Sequence, residues 1–125
     1  QEQGRLDILV NNAWGGHDDD FGRGGFWERS PRLWDVMFTA GVRASLMSSR
    51  FAVPLMLPHR QGLIINTSFK YDPDHYDGFL YYQLAKTSLC NLATYMAGDL
   101  KPYGITALAV SPGWMRTELV RLLEP

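Results

Sequence analysis

Tyr82 and Lys86 stand four apart in Tyr82-Gln83-Leu84-Ala85-Lys86, at the start of a long run with helical spacing. On a helix the two side chains project from one face, about one turn apart. A phenol ordinarily titrates near roughly pH 10. An ammonium close by favours the phenolate and lowers that value. A tyrosine tuned in this way can exchange a proton with a substrate hydroxyl or carbonyl near neutral pH. Ser68 closes a short apolar run upstream and could hydrogen-bond the same substrate oxygen. Hydride would have to come from a bound cofactor, because no side chain supplies one. Taken alone, a tyrosine and a lysine at this spacing arise often by chance on an exposed helix, so their weight depends on the elements around them.

Three short runs read as strands: Leu6 to Val10, Leu63 to Asn66 and Thr106 to Val110. Each is nearly continuous in apolar residues, the pattern of parallel strands covered on both faces. Two longer segments between them have helical spacing. The first runs from about Pro31 to Met56, with Ser30 as N-cap and Pro31 at the first helical position. Pro54 should end or kink it, and Pro58 follows. The second runs from about Leu80 to Leu100, with Leu84, Ser88, Leu92 and Tyr95 on one side, and Lys101-Pro102-Tyr103-Gly104 closes it. The order strand, helix, strand, helix, strand predicts an α/β fold with two right-handed crossovers and a parallel sheet. The loops from Trp14 to Arg29 and from Phe69 to Phe79 follow the carboxyl ends of strands, where open parallel sheets place their ligands.

Composition narrows the class. The chain has 125 residues, 46% apolar and 20% charged, which fits one ordinary globular domain. A net charge of −1 gives no electrostatic case for nucleic acid or an anionic membrane. No apolar stretch approaches the roughly 20 residues of a membrane span. The first residues, Gln1-Glu2-Gln3-Gly4-Arg5, do not read as a secretory signal. Cys90 is the only cysteine, so no internal disulfide forms, and a reducing, cytoplasmic setting fits. The chain starts without methionine and runs almost at once into a buried-looking strand, which reads as a fragment entering the middle of a fold.

Four motifs fall at strand ends or helix starts. Asn11-Asn12-Ala13-Trp14-Gly15 follows the first strand, and Asn66-Thr67-Ser68 follows the second. Tyr82 to Lys86 opens the next helix, and Ser111-Pro112-Gly113-Trp114-Met115-Arg116-Thr117 follows the third strand. In this order they resemble the short-chain dehydrogenase/reductase family, over essentially the whole chain from Leu6 to about Leu119. The run from Phe26-Trp27-Glu28 to Trp34-Asp35, with Gly62-Leu63-Ile64-Ile65, looks most like the dehydrogenase/reductase member 1 subgroup.

The resemblance implies that residues 1–125 are part of one Rossmann-type NAD(P)-binding domain, from the family's fourth strand to its sixth, in an incomplete three-layer sheet with helices on both faces. It implies an NAD(P)-dependent oxidoreductase that interconverts an alcohol and a carbonyl. Ser68 matches the substrate-orienting serine, Tyr82 the catalytic acid/base, and Lys86 the lysine that holds the nicotinamide ribose and lowers the tyrosine pKa. Asn11 and Ala13 match the motif that steadies the sheet and lines the cofactor ribose, while Pro112, Gly113 and Thr117 match the loop that holds the carboxamide. The implied partners are NAD or NADP, a small alcohol or carbonyl, and, for a complete parent, a second copy docked through the two helices; neither nucleic acid nor a membrane is expected.

The departures are specific. The usual Asn-Ala-Gly reads Asn12-Ala13-Trp14, with glycine one position later. Ser68 lies 14 residues before Tyr82, one more than is usual, and Phe69 occupies the spacing the serine often holds. Gly41 stands where many members carry an asparagine that supports a proton relay to the lysine. The family's glycine-rich phosphate loop follows a first strand that this sequence does not contain, and Gly15-Gly16 and Gly22 to Gly25 are no substitute. These features motivate two alternatives: a non-catalytic remnant or assembly module, and the same fold turned to epimerisation or dehydration.

Other residues read more plainly. His17 with Asp18 to Asp20, and His75 with Asp72, Asp74 and Asp77, lack a recognised ligand spacing and read as solvated loops, so no metal is expected. Cys90 reads as core, Trp14 and Trp114 as pocket lining, and Trp27 and Trp34 as packing. Arg43, Arg50 and Arg116 read as solvated or interface charges, and the first strand's open edge as an aggregation hazard.

Overall fold

The structure, a computed structural model, describes residues 4–16, 24–69, 72, 74, 76, 78–113 and 115. Three parallel strands, β1 (Ile8–Asn11), β2 (Gly62–Thr67) and β3 (Ile105–Val110), form a sheet in the order β1-β2-β3. Val10 pairs with Ile65, and Ile65 with Leu108. The apolar runs thus become strands where the sequence predicts them, shifted by a residue or two at the ends.

The first helical segment is three pieces. α1 (Arg32–Met37) leads through a π-helical stretch, Phe38–Arg43, into α2 (Ala44–Met56). Ser30 Oγ accepts a hydrogen bond from the Arg32 backbone N–H at 3.3 Å, but the helix begins at Arg32 with Pro31 as its N-cap, one residue later than the sequence reading places it. Pro54 does not end the helix. α2 continues to Met56 and a 3₁₀ turn follows over Leu57–His59. Pro54 falls in the last turn, where Arg50, four residues back, is exposed; water can satisfy the carbonyl that the proline ring leaves unbonded.

α3 (Leu80–Leu100) has the predicted length. Its buried side is Ala85, Lys86, Leu89, Ala93 and Leu100, and Leu84 and Tyr95 of the sequence-read stripe are exposed. Alanines let a helix axis approach the sheet closely, which is why the small residues point inward. A 3₁₀ turn, Lys101–Tyr103, then passes into Gly104 at φ 71°. A Cβ on Gly104 would also meet the Arg60 carbonyl oxygen at 2.5 Å, so glycine is required twice over.

Both crossovers step across the sheet in the same direction, so crossovers of one hand put both helices on one face. Ile64 on the central strand packs in one cluster with Ala52 and Met56 from α2 and Leu100 from α3, together with Ile105 and Ala107. The opposite face carries Ile8, Val10, Leu108 and Val110, all exposed, beside half-buried Leu63 and Ile65. The expected cover on both faces is therefore met on one only among the described residues. The fold is the incomplete Rossmann-type α/β sheet, and the described residues supply two of its three layers.

Candidate active site

The carboxyl ends of the three strands and the amino-terminal turns of α3 meet at one edge of the molecule. Strand periodicity decides which side chains turn inward there. Asn11 follows Leu9, and Asn66 follows Ile64, on the helix-facing side of the sheet. Asn11 Nδ2 lies 2.9 Å from Asn66 Oδ1, 3.1 Å from Ser49 Oγ and 3.4 Å from the Ser45 carbonyl. Asn66 Nδ2 donates to the Leu89 carbonyl at 3.2 Å. Ser49 Oγ donates to the Ser45 carbonyl, and Ser45 Oγ to the Gly41 carbonyl, both at 2.8 Å. This buried polar belt ties β1, β2, α2 and α3 together just below the site, and each donor in it has an acceptor.

Ser68 has the same parity as Ile64 and Asn66 and also turns toward α3. It is 5% exposed. Its hydroxyl donates to the Lys86 carbonyl at 2.7 Å. Cys90 Sγ lies 3.1 Å from the same oxygen. The hydroxyl proton is committed to the carbonyl, so the thiol is the donor in the second contact. Phe69, the next residue, is exposed and meets the Tyr82 ring edge-on at 5.7 Å.

Tyr82 is enclosed by aromatic rings. Trp14 approaches it from the β1 end at 5.6 Å with the ring planes at 83°. Leu33, Met37, Phe38, Val42, Tyr81 and Ala85 complete a packed cluster with Trp14 and Tyr82. Trp34 stacks on Phe38 at 3.9 Å, fulfilling its packing role, whereas Trp27 is 74% exposed and touches Phe26.

Lys86 is buried with its ammonium 3.8 Å from the centroid of the Trp14 ring and 5.6 Å from that of Tyr82. Nζ also donates to the Thr67 carbonyl at 3.3 Å. Burial lowers the lysine pKa to about 8, and Cys90 opposes that shift. Near neutral pH the amine is still mostly protonated, but it sits within reach of a physiological titration.

Gly41 occupies the π-helical stretch and is buried beneath the Trp14 indole. A Cβ there would overlap Trp14 Cζ3 and lie 2.8 Å from Cε3. Ala13, Pro112 and Gly113 are exposed at the strand ends, Gly113 at φ 73°. The structure places Ala13, Pro112 and Gly113 just past the carboxyl ends of β1 and β3 and Tyr82 and Lys86 in the first turns of α3, and turns the Asn11 and Ser68 side chains inward. Thr117, Trp114, His17 and His75 lie outside the described residues, and no group of three or more potential metal ligands occurs among the described ones. Sequence reading missed the grip of Trp14 on Lys86. The large-for-small exchange of Trp14 with Gly41 was its available signal.

Parallel strands in this order, with helices in the crossovers and these side chains at the carboxyl edge, define part of a Rossmann-type α/β fold. Residues 1–124 match the family described as enoyl-(acyl carrier protein) reductase. The chain belongs to the short-chain dehydrogenase/reductase family. It is 33% identical over 125 residues to human dehydrogenase/reductase SDR family member 1, spanning 97% of this chain and 39% of that protein. It is 35% identical over 121 residues to the uncharacterized oxidoreductase YxbG of Bacillus subtilis, spanning 94% of this chain and 41% of that protein. Among solved structures, a metagenomic short-chain oxidoreductase in complex with NADP aligns with a TM-score of 0.76 and 28% identity, over 96% of this chain and 55% of that one. ElxO with NADP bound aligns at 0.83 and 25% identity, over 96% of this chain and 47% of that one. The chain therefore spans about two-fifths of the length of the curated relatives it matches. Among the described residues, no helix is long and apolar enough to cross a membrane.

Proposed function

We propose that the protein carrying this chain is an NAD(P)-dependent oxidoreductase that interconverts an alcohol and a carbonyl, with residues 1–125 as part of its nucleotide-binding domain. The observation that carries this reading is the placement of Lys86, a buried cation, against the ring of Tyr82 at the carboxyl edge of a parallel sheet. Two structural relatives hold NADP, and their alignments cover nearly all of this chain. The residues present fit the nicotinamide end of such a cofactor: Ala13, Pro112 and Gly113 offer exposed backbone at the strand ends, and Lys86 offers a cation for a ribose hydroxyl. The cofactor supplies or accepts the hydride when bound. Tyr82 passes the proton to or from the substrate oxygen, and Lys86 favours its phenolate form by charge. Phe69 and Trp14 keep water from the tyrosine ring and favour an apolar substituent on the substrate carbon. Asn11 acts through the belt it forms with Asn66 and Ser49, holding the strand ends in register. Ser68 orients a substrate oxygen only by releasing its bond to the Lys86 carbonyl, and Thr117 completes the carboxamide loop. The exposed Leu46, Phe51 and Leu55 of α2 with Leu84 and Tyr95 of α3 form the face for a second copy of the protein.

Titration of NADPH and NADH against the full-length protein, followed by assay with a panel of small ketones and secondary alcohols, tests this. Saturable cofactor binding with turnover is expected. Cofactor binding without turnover of any carbonyl or alcohol would instead support a non-catalytic role, the reading favoured by the inward Ser68 and by Trp14 lying over Gly41.

A further inference from the structure

The ammonium of Lys86 meets an indole at 3.8 Å, closer than it comes to the tyrosine ring it serves. We propose that Trp14, seated against Gly41, is a positioning residue that holds the Lys86 ammonium on its indole face and so fixes the lysine beside Tyr82. This rests on the reading of Lys86 as the site lysine.

Three observations converge. The first is the contact itself, a cation over the face of tryptophan, the aromatic ring that binds cations best. The second is the space made for it. The π-helical stretch Phe38–Arg43 carries Gly41 at the point of contact, where any side chain would drive the indole off the lysine. Helical insertions of this kind are often found at functional sites. The third is the shortage of other partners for a buried charge. The described hydrogen bond of Nζ is one backbone carbonyl, that of Thr67 at 3.3 Å. A buried ammonium with so little polar contact needs a further source of electrostatic attraction, and the electron-rich indole face provides it. The ionisable groups described around Lys86 are Tyr82 and Cys90 on its own helix; β2 and the β1 end face it with a carbonyl and the indole, neither formally charged. Tyr82 is then held from two sides, because the same indole packs edge-on against its ring. One tryptophan thereby sets the distance between the proton-transfer group and the cation that tunes it.

The test is a titration read in the absence of cofactor and substrate, so it does not depend on turnover. Full-length protein is labelled with ε-¹³C lysine, and the Lys86 signal is assigned by its loss in Lys86→Arg. In the wild type the Lys86 ε-methylene protons should resonate upfield of the other lysines, displaced by the indole ring current, and titrate with a midpoint near 8. Trp14→Leu keeps an apolar cover and removes the π face, so the upfield displacement should vanish and the midpoint should fall by about one unit. Trp14→Phe should lie between the two, and Gly41→Ala should act in the same direction by displacing the indole. Should Trp14→Leu fail to fold, the wild-type ring-current displacement and its loss in Gly41→Ala still decide the matter. A wild-type signal without upfield displacement, or a midpoint that Trp14→Leu and Gly41→Ala leave unmoved, would overturn the proposal. Loss of activity on Tyr82 replacement bears on the proposed function alone.

Discussion

The two ends of α3 are built differently. Its carboxyl half, with Leu100, Met96 and Ala97, packs against Ile64, Ile105, Met56 and Ala52 in a cluster of aliphatic and thioether side chains. Its amino-terminal turns pack among Trp14, Phe38, Tyr81 and Tyr82 and bury a cation. Between them lies the belt of Asn11, Asn66, Ser45 and Ser49. The aliphatic end gains stability from burial and needs no exact geometry. The aromatic end gives up some of that gain to hold Lys86 desolvated, which is the arrangement that shifts a pKa toward function. The polar belt separates the two and ties the strand ends to the helices through the bonds of Asn11 and Asn66.

Substitutions at the two ends should therefore separate activity from stability. At the aromatic end, Lys86→Met in the full-length protein should lower turnover by a factor on the order of 10² or more, with little loss of folded protein. Steady-state kinetics beside a thermal melt would check this, and a wild-type rate would break the comparison. At the aliphatic end, Ile64→Ala should cost about 2–5 kcal/mol in denaturant unfolding while the folded fraction keeps its turnover per molecule. In the belt, Asn66→Leu removes the two side-chain hydrogen bonds that tie β2 to Asn11 and to the Leu89 carbonyl. It should cost about 1–3 kcal/mol and also lower turnover, since the belt serves both ends.

A further effect is a pH dependence. The folded-state pKa of Lys86 is depressed to about 8 from an ordinary 10.5. Between those values the unfolded chain binds the proton and the folded chain does not, so the Lys86 contribution makes stability rise with pH across that window. Lys86→Met should flatten the rise, as measured by unfolding midpoints at pH 8 and above. An unchanged slope would show that the amine is not desolvated.

Much of this was legible in the sequence, and the exceptions have physical causes. Continuous apolar runs gave the strands, because a parallel strand buried among neighbours has no need to alternate. Ser30-Pro31 and Pro102 to Gly104 marked helix ends through their fixed backbone preferences. The π-helical stretch around Gly41 was not legible, since an added residue in a helical turn leaves no signature in residue type. The direction of Ser68 was within reach. Counting in twos from the apolar Ile64 puts Asn66 and Ser68 on the helix side. That the described helices cover only one sheet face follows from topology, which apolar runs do not reveal.

The central claim is that the aromatic end of α3 is the proton-transfer end of an oxidoreductase. The direct measurement is single-turnover reduction of a ketone by NADPH in full-length protein, wild type beside Tyr82→Phe, with NADPH binding measured on both. The account predicts equal binding and a rate lowered by a factor on the order of 10² to 10⁴ or more in the phenylalanine variant. Equal binding with an unchanged rate would contradict it.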